Sequence, residues 1–285
     1  MQVHRIWLAW LLLGGACVWP SAAQAFGADG HRISGHIAQA ALTSQARAQL
    51  EQILGHVDLA ELALAADEQR AQLKARFPDS PRWHYDDRLV CHPDLPVEDY
   101  CPRGACASAA ITRFRAVLAD RAAPREERAL AVMFLVHIIG DIHQPLHAAD
   151  NNDRGGNSVR VAMPGESGTR SLHAAWDIDF VRLAMDGARP PAIADDWVRR
   201  YQRELAQWRR GTVADWMQES YMLAATVTYG ELPEWACDTP PAGVLALTPE
   251  YVAHATRLMP ELLTKAGVRI AAVLNDALSR GTGAR

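Results

Sequence analysis

The segment from Pro124 to Pro145 constrains the fold more than any other. It reads as the most apolar helix of the chain, running from Arg125 to about Ile142. Proline opens it, and Pro145 stops it because proline lacks the N–H that a continuing helix needs. A helix this apolar has no solvent face, so other elements must cover it. Yet His137 and Asp141 lie within it, four residues apart and so on one face. Burying two polar groups is costly unless something pairs with them. Either they bond each other in the core, or together they face a third group.

The spacing recurs. His173 and Asp177, in Leu172-His-Ala-Ala-Trp-Asp177, form a second His-x-x-x-Asp pair, and His147 follows just past the end of the apolar helix. The second pair, alone, could be a surface contact between successive turns. With His147 and the first pair it makes a ligand set for borderline-soft divalent metals, zinc in particular. Two weaker pieces lie upstream: Asp67-Glu-Gln-Arg70 on a predicted helix, and Trp83-His84-Tyr85-Asp86-Asp87 in an irregular stretch.

The chain otherwise reads as helices, because alanine and leucine dominate and β-branched alternation is scarce. The pattern predicts helices over Ile33–Ala41, from an N-cap at Thr43 through Leu54, and over Leu59–Ala75 and Ala107–Leu118. Later ones span His173–Met185, Asp195–Arg210, Asp215–Thr228 and Pro249–Leu278. Pro78–Pro102 is irregular, Asn151–Asn157 is a loop, and Val159–Met163 is a short strand. No linker divides the chain. The expectation is one all-α domain of packed helices with at most a minor β-hairpin.

Residues 1–25 stand apart. Arg5, a thirteen-residue apolar run from Ile6 to Val18, and Ala23-Gln24-Ala25 read as a secretory signal, with the mature chain, residues 26–285, starting at Phe26. The alternative is an uncleaved anchor, but the run is too short to span a bilayer. No later stretch reaches eighteen apolar residues, so a mature form without membrane is expected, secreted or periplasmic. Four cysteines remain, and an oxidising compartment would pair them. Cys101 and Cys106 flank Pro-Arg-Gly-Ala, a turn, which predicts a local pair and leaves Cys91 with Cys237. A cysteine zinc site is the alternative, but histidines and aspartates already supply one. His31 lies five residues after Phe26, whose freed α-amine, with an ordinary pKa of about 8, could itself ligate a metal.

Charge adds a constraint. Lys and Arg total 29 against 33 Asp and Glu, a formal −4. Such a chain has no broad basic surface for holding nucleic acid by counterion release. Bound metal ions are another source of positive charge, and eleven histidines fit that.

Taken in order, these pieces resemble the S1/P1 family of secreted, zinc-dependent, single-strand-specific nucleases. The matching motifs are Phe26-Gly…Gly-His31, Asp67-x-x-Arg70, Trp-His84-Tyr-x-Asp87, the Cys91/Cys101/Cys106 cluster, Phe-Leu-Val-His137-x-x-Gly-Asp141-x-x-Gln-Pro-Leu-His147, Gly-Gly-Asn157 and Leu-His173-x-x-Trp-Asp177. The resemblance implies three zinc ions. Asp67, His84, His137 and Asp141 would hold one. The amine and carbonyl of Phe26, with His31 and Asp141, would hold a second. His147, His173 and Asp177 would hold the third. Asp87 would orient the attacking water, Arg70 would contact phosphate, and Tyr85 and Asn157 would help hold a base. The family usually begins with tryptophan where this chain has Phe26.

His143, about 240° round the helix from His137, is not expected to be a ligand. His36, His56, His92 and His254 match no ligand position either. The implied activity is hydrolysis of single-stranded DNA and RNA, and of 3′-mononucleotides, by a monomer leaving 5′-phosphates. The alternatives are a zinc-dependent phospholipase C, whose last ligand pair is His-x-x-x-Glu where this chain has Asp177, and a non-catalytic zinc-binding protein of the same fold.

Overall fold

The structure is a computed structural model describing residues 26–279; the expected signal segment 1–25 lies outside the described residues. Helix α1 (Ala28–Ala40) starts five residues before the apolar pattern does, because the Gly27 carbonyl already accepts from Gly30 N and His31 N. That puts His31 on a helix. Helix α2 (Ser44–Leu54) is capped as expected, with Thr43 accepting from Ala46 N, and ends at Gly55, whose φ is 84°.

The single helix expected over Leu59–Ala75 is instead three short ones: α3 (Leu59–Leu62), α4 (Ala65–Glu68) and α5 (Arg70–Arg76). The break has a use. It turns the Ala63 carbonyl toward the ring of His137, at 2.6 Å. The irregular stretch then leads through α6 (Val97–Tyr100) to α7 (Ala107–Ala119) and α8 (Arg125–Asp141).

Helix α8 is the axis of the molecule. Every residue from Ala131 to Asp141 is buried. Phe134 stacks on Phe114 of α7 with centroids 4.6 Å apart, and Trp83 meets both rings edge-on. Truncating such a ring to alanine costs about 3–5 kcal/mol.

Strands β1 (Arg160–Ala162) and β2 (Thr169–Ser171) pair antiparallel, with Val161 opposite Arg170. Helix α9 (Leu172–Ala174) continues through a wide turn at Ala175–Asp179 into α10 (Phe180–Met185). The helix expected over Asp195–Arg210 is α11 (Pro190–Arg200) and α12 (Leu205–Trp208), separated at Tyr201–Glu204. Helix α13 (Val213–Leu223) opens with a reciprocal Thr212–Asp215 cap.

Strand β3 (Val244–Ala246) then corrects the hairpin expectation. It lies parallel to β1, with Leu245 opposite Val161, and makes a three-stranded sheet in the order β2-β1-β3. A two-stranded ribbon of three-residue strands is marginal alone. The third strand buries Leu245 beside Val161.

The last helix, α14 (Pro249–Ser279), crosses the back of α1 and α8. Gly267 permits that closeness to α1, since a Cβ there would sit 2.5 Å from Ile37. Gly35 does the same where α1 meets α3: a Cβ there would sit 2.6 Å from the backbone of Leu59 and Ala60. Both disulfides form as expected, Cys91–Cys237 and Cys101–Cys106. Among the described residues, no helix is long and apolar enough to cross a membrane.

Candidate metal centre

Four elements converge at the C-terminal end of α8. Helix α8 brings His137 and Asp141. Helix α1 lays His31 across Gly140, where a Cβ would come within 3.1 Å of the imidazole. His31 therefore stacks on His137, with centroids 4.3 Å apart. The segment after Trp83 brings His84, and α4 brings Asp67. Asp141 divides its oxygens among the histidines. Its Oδ1 lies 3.3 Å from His31 Nε2, and its Oδ2 lies 3.0 Å from His84 Nδ1 and 3.2 Å from His137 Nε2. Asp67 Oδ1 stands 3.8 Å from His137 Nε2 and 4.0 Å from His84 Nδ1.

A second group lies just beyond. His147, in the turn after α8, places Nε2 3.1 Å from Nε2 of His173 in α9. Asp177 Oδ2 is 3.2 Å from His173 Nε2.

Hydrogen bonding decides what these groups can hold. His137, His147 and His173 each direct Nδ1 at a backbone carbonyl, those of Ala63, His84 and Gly155, at 2.6, 2.7 and 2.6 Å. A carbonyl only accepts, so Nδ1 carries the proton, and in the neutral ring Nε2 is a bare lone pair. Two such lone pairs 3.1 Å apart repel unless a cation lies between them. Four-coordinate zinc with Zn–N near 2.0–2.1 Å spaces its nitrogens about 3.3 Å apart. In the first group, His31 Nδ1 and Nε2, Asp67 Oδ1 and Asp141 Oδ1 are buried without a hydrogen-bond partner. A buried polar atom is seldom left so. Three sets, His31–Asp67–His137, His84–His137–Asp141 and His147–His173–Asp177, each bring ligand atoms within 4.8 Å of one another. The residues fit divalent cations.

Titration differs between the groups. Burial disfavours charge in both. In the first, the Asp141 carboxylate outweighs it and lifts His137 to about 9, while His137 and its neighbours hold Asp141 well below the usual carboxylate range. In the second, burial prevails. It presses His147 down to about 3, helped by His173, presses His173 to about 4, and raises Asp177 well above its ordinary value.

The other expected residues lie around this pair. Phe26 is fully buried, and its backbone N–H donates to the Asp177 carboxylate. Arg70 Nη1 lies 3.6 Å from Asp67 Oδ1, and its charge also reaches His173 and Tyr85. Tyr85 and Asp87 are half-buried on the segment that carries His84. Burial lifts Asp87 to about 7, helped by the Asp150, Asp86 and Asp153 carboxylates and opposed by Arg82. Asn157 is half-buried in a tight loop and donates through Nδ2 to the Arg154 carbonyl at 2.9 Å. His143 stays apart, donating from Nδ1 to the Ile139 carbonyl and accepting at Nε2 from Arg269. His92 and His254 pair with Asp238 and Glu231 near the surface.

Some functional contacts carried no sequence signal. Backbone carbonyls that orient the histidines cannot be read from residue types. Asp86, which joins the centre to α7 through Ser108 N and Oγ, was visible only as a neighbour of His84. Gln144 lay within the quoted motif, and only its 2.7 Å bond to Asp177 reveals its place.

Known proteins share this arrangement of sequence. Residues 26–279 match the family profile described as S1/P1 nuclease. Nuclease S1 of Aspergillus oryzae is 31% identical over 268 residues, covering 86% of this chain and 89% of that protein. Endonuclease 2 of Arabidopsis thaliana is 28% identical over 293 residues, covering 96% of each. Nuclease P1 of Penicillium citrinum is 26% identical over 279 residues, covering 88% of this chain and 97% of that protein. The His- and Asp-bearing segments and the fold that gathers them thus have one source: this chain belongs to the S1/P1 nuclease family.

Proposed function

We propose that this chain is a zinc-dependent phosphodiesterase that hydrolyses single-stranded DNA and RNA to 5′-phosphate products and also acts on 3′-mononucleotides. The observation that carries the reading is the facing of histidine ring nitrogens and buried carboxylate oxygens at about 3 Å in two adjoining groups. Asp67, His84, His137 and Asp141 would hold one ion. His31 and the amine and carbonyl of Phe26 would hold a second, sharing Asp141. His147, His173 and Asp177 would hold the third. The ions would supply an activated water, in-line attack on phosphorus and charge neutralisation at the departing 3′ oxygen.

The chain's own groups do the rest. Asp87, a base with its pKa near the working pH, orients the water and takes its proton. Arg70, 3.6 Å from Asp67 and within charge reach of His173, binds the phosphate. Tyr85 offers a ring on which a base stacks, and Asn157 offers its amide edge. A single strand suits such a site because its backbone can bend into the cleft and expose a base. The family match and the Asp at position 177 both favour this over phospholipase activity. We take residues 1–25 to be a signal that is removed, leaving a secreted or periplasmic monomer beginning at Phe26.

The test is to assay the protein starting at Phe26 on single-stranded DNA, RNA and phosphatidylcholine in parallel, with end-group analysis. Cleavage of both nucleic acids to 5′-phosphates is expected. Products ending only in 3′-phosphate, or cleavage of the lipid alone, would overturn the proposal.

A further inference from the structure

Gln144 is fully buried between the end of α8 and the turn that carries His147. Every polar group it owns on that side is engaged. Its backbone N–H donates to the Asp141 carbonyl at 2.9 Å. Its Oε1 accepts from Leu146 N at 2.5 Å, which caps the Pro145–His147 turn. Its Nε2 donates to Asp177 Oδ1 at 2.7 Å. The amide cannot be reversed. Leu146 N–H only donates, so it requires the oxygen, and a carboxylate requires the NH₂.

One side chain therefore spans the backbone that places His147 and the carboxylate that faces His173. With Oδ1 engaged, Asp177 presents Oδ2 toward His173 Nε2, 3.2 Å away. The Phe26 backbone N–H also donates to this carboxylate, and Gln144 adds a side-chain donor that ties it to the His147 turn.

We propose that Gln144 is a positioning residue of the second centre: it holds Asp177 as a one-oxygen ligand and fixes that oxygen relative to His147. This rests on the metal reading above and adds a residue that acts through a ligand rather than as one. Partners of this kind commonly change metal affinity by about 10–100-fold.

The experiment is a zinc titration against a chromophoric chelator competitor, with thermal melting of the chelated protein alongside. Gln144→Met keeps the volume and removes both side-chain bonds. One site per chain should weaken by about 10–100-fold while the others keep wild-type affinity. In an Asp177→Ala background, where His147 and His173 remain, the same substitution should cost clearly less than in the wild type, because only the Leu146 bond that sets the His147 turn is left to lose. Gln144→Asn keeps the amide but is one methylene too short to reach both partners, and the same loss is expected; it stands in if the methionine variant does not fold. Wild-type affinity in Gln144→Met, or an equal loss in the Asp177→Ala background, would overturn the role of Gln144 alone. A wild-type chain that takes up no zinc would overturn the metal reading beneath it.

Discussion

The two groups at the end of α8 are built from the same residue types, yet they settle their charge in opposite ways. Around Asp141, three histidines share one carboxylate, with Asp67 close by; His137 is pushed up to about 9 and Asp141 down, while burial and His137 press His31 down. Around Asp177, two histidines meet one carboxylate that is buried to the same degree, and all three are driven toward neutrality. What differs is which groups surround each carboxylate. Asp141 is in contact with three imidazoles. Asp177 takes one oxygen to a neutral amide, has one imidazole on the other, and accepts from the Phe26 backbone N–H. The first group is a charged clamp, and the second is a neutral pocket that a cation must charge.

Substitutions that strike one group and spare the other sharpen this contrast. Asp141→Asn should have the largest effect, about a 10⁴-fold loss of rate, because two stabilising charges each worth about 10² fail together. More than one zinc per chain should go with it, as read by elemental analysis; full zinc content would break the assignment of Asp141 to two ions. Asp177→Asn should lose one ion and about 10³-fold in rate, with the Asp141 group still loaded. Loss of every ion would mean that the groups are not separable.

Asp87→Asn should leave the zinc content unchanged and cost about 10²-fold, the low end for a general base. Its larger signature lies in pH. Asp87 sits near 7, so the wild-type rate should fall as acid protonates it, through a limb with a midpoint at or below about 7. The variant's profile should be flat there; a limb that survives would place the ionising group elsewhere. The smallest effect concerns stability of the chelated protein. His137, raised to about 9 from an ordinary 6.5, contributes stability that is fully present below 6.5 and is lost as pH rises through 9. Melting curves between those pH values should show the loss in the wild type, and Asp141→Asn should remove it.

The His137–Asp141 pair was more legible in the sequence than the His173–Asp177 pair. His137 and Asp141 stand out because eleven consecutive buried residues surround and include them, and an apolar helix makes any polar residue conspicuous. His173 and Asp177 repeat that spacing on a helix that widens at Ala175–Asp179, a distortion that no residue type announces. The break at Ala63 was invisible because Ala-Leu sequences favour helix, and only the distant His137 ring gives that carbonyl another partner. Strand β3 was missed because three residues some eighty positions from β1 leave no local periodicity. The disulfides were legible because a turn between Cys101 and Cys106 leaves one other pair.

The central claim is that these two adjoining groups hold the ions on which cleavage of single strands depends. The most direct test follows zinc content and single-stranded DNA cleavage together, on the chain starting at Phe26, through chelation and stepwise return of zinc. Cleavage should vanish on chelation and return only as the third zinc per chain is restored, with 5′-phosphate ends throughout. Cleavage that persists in fully chelated protein, or that fails to return with three zincs bound, would contradict it.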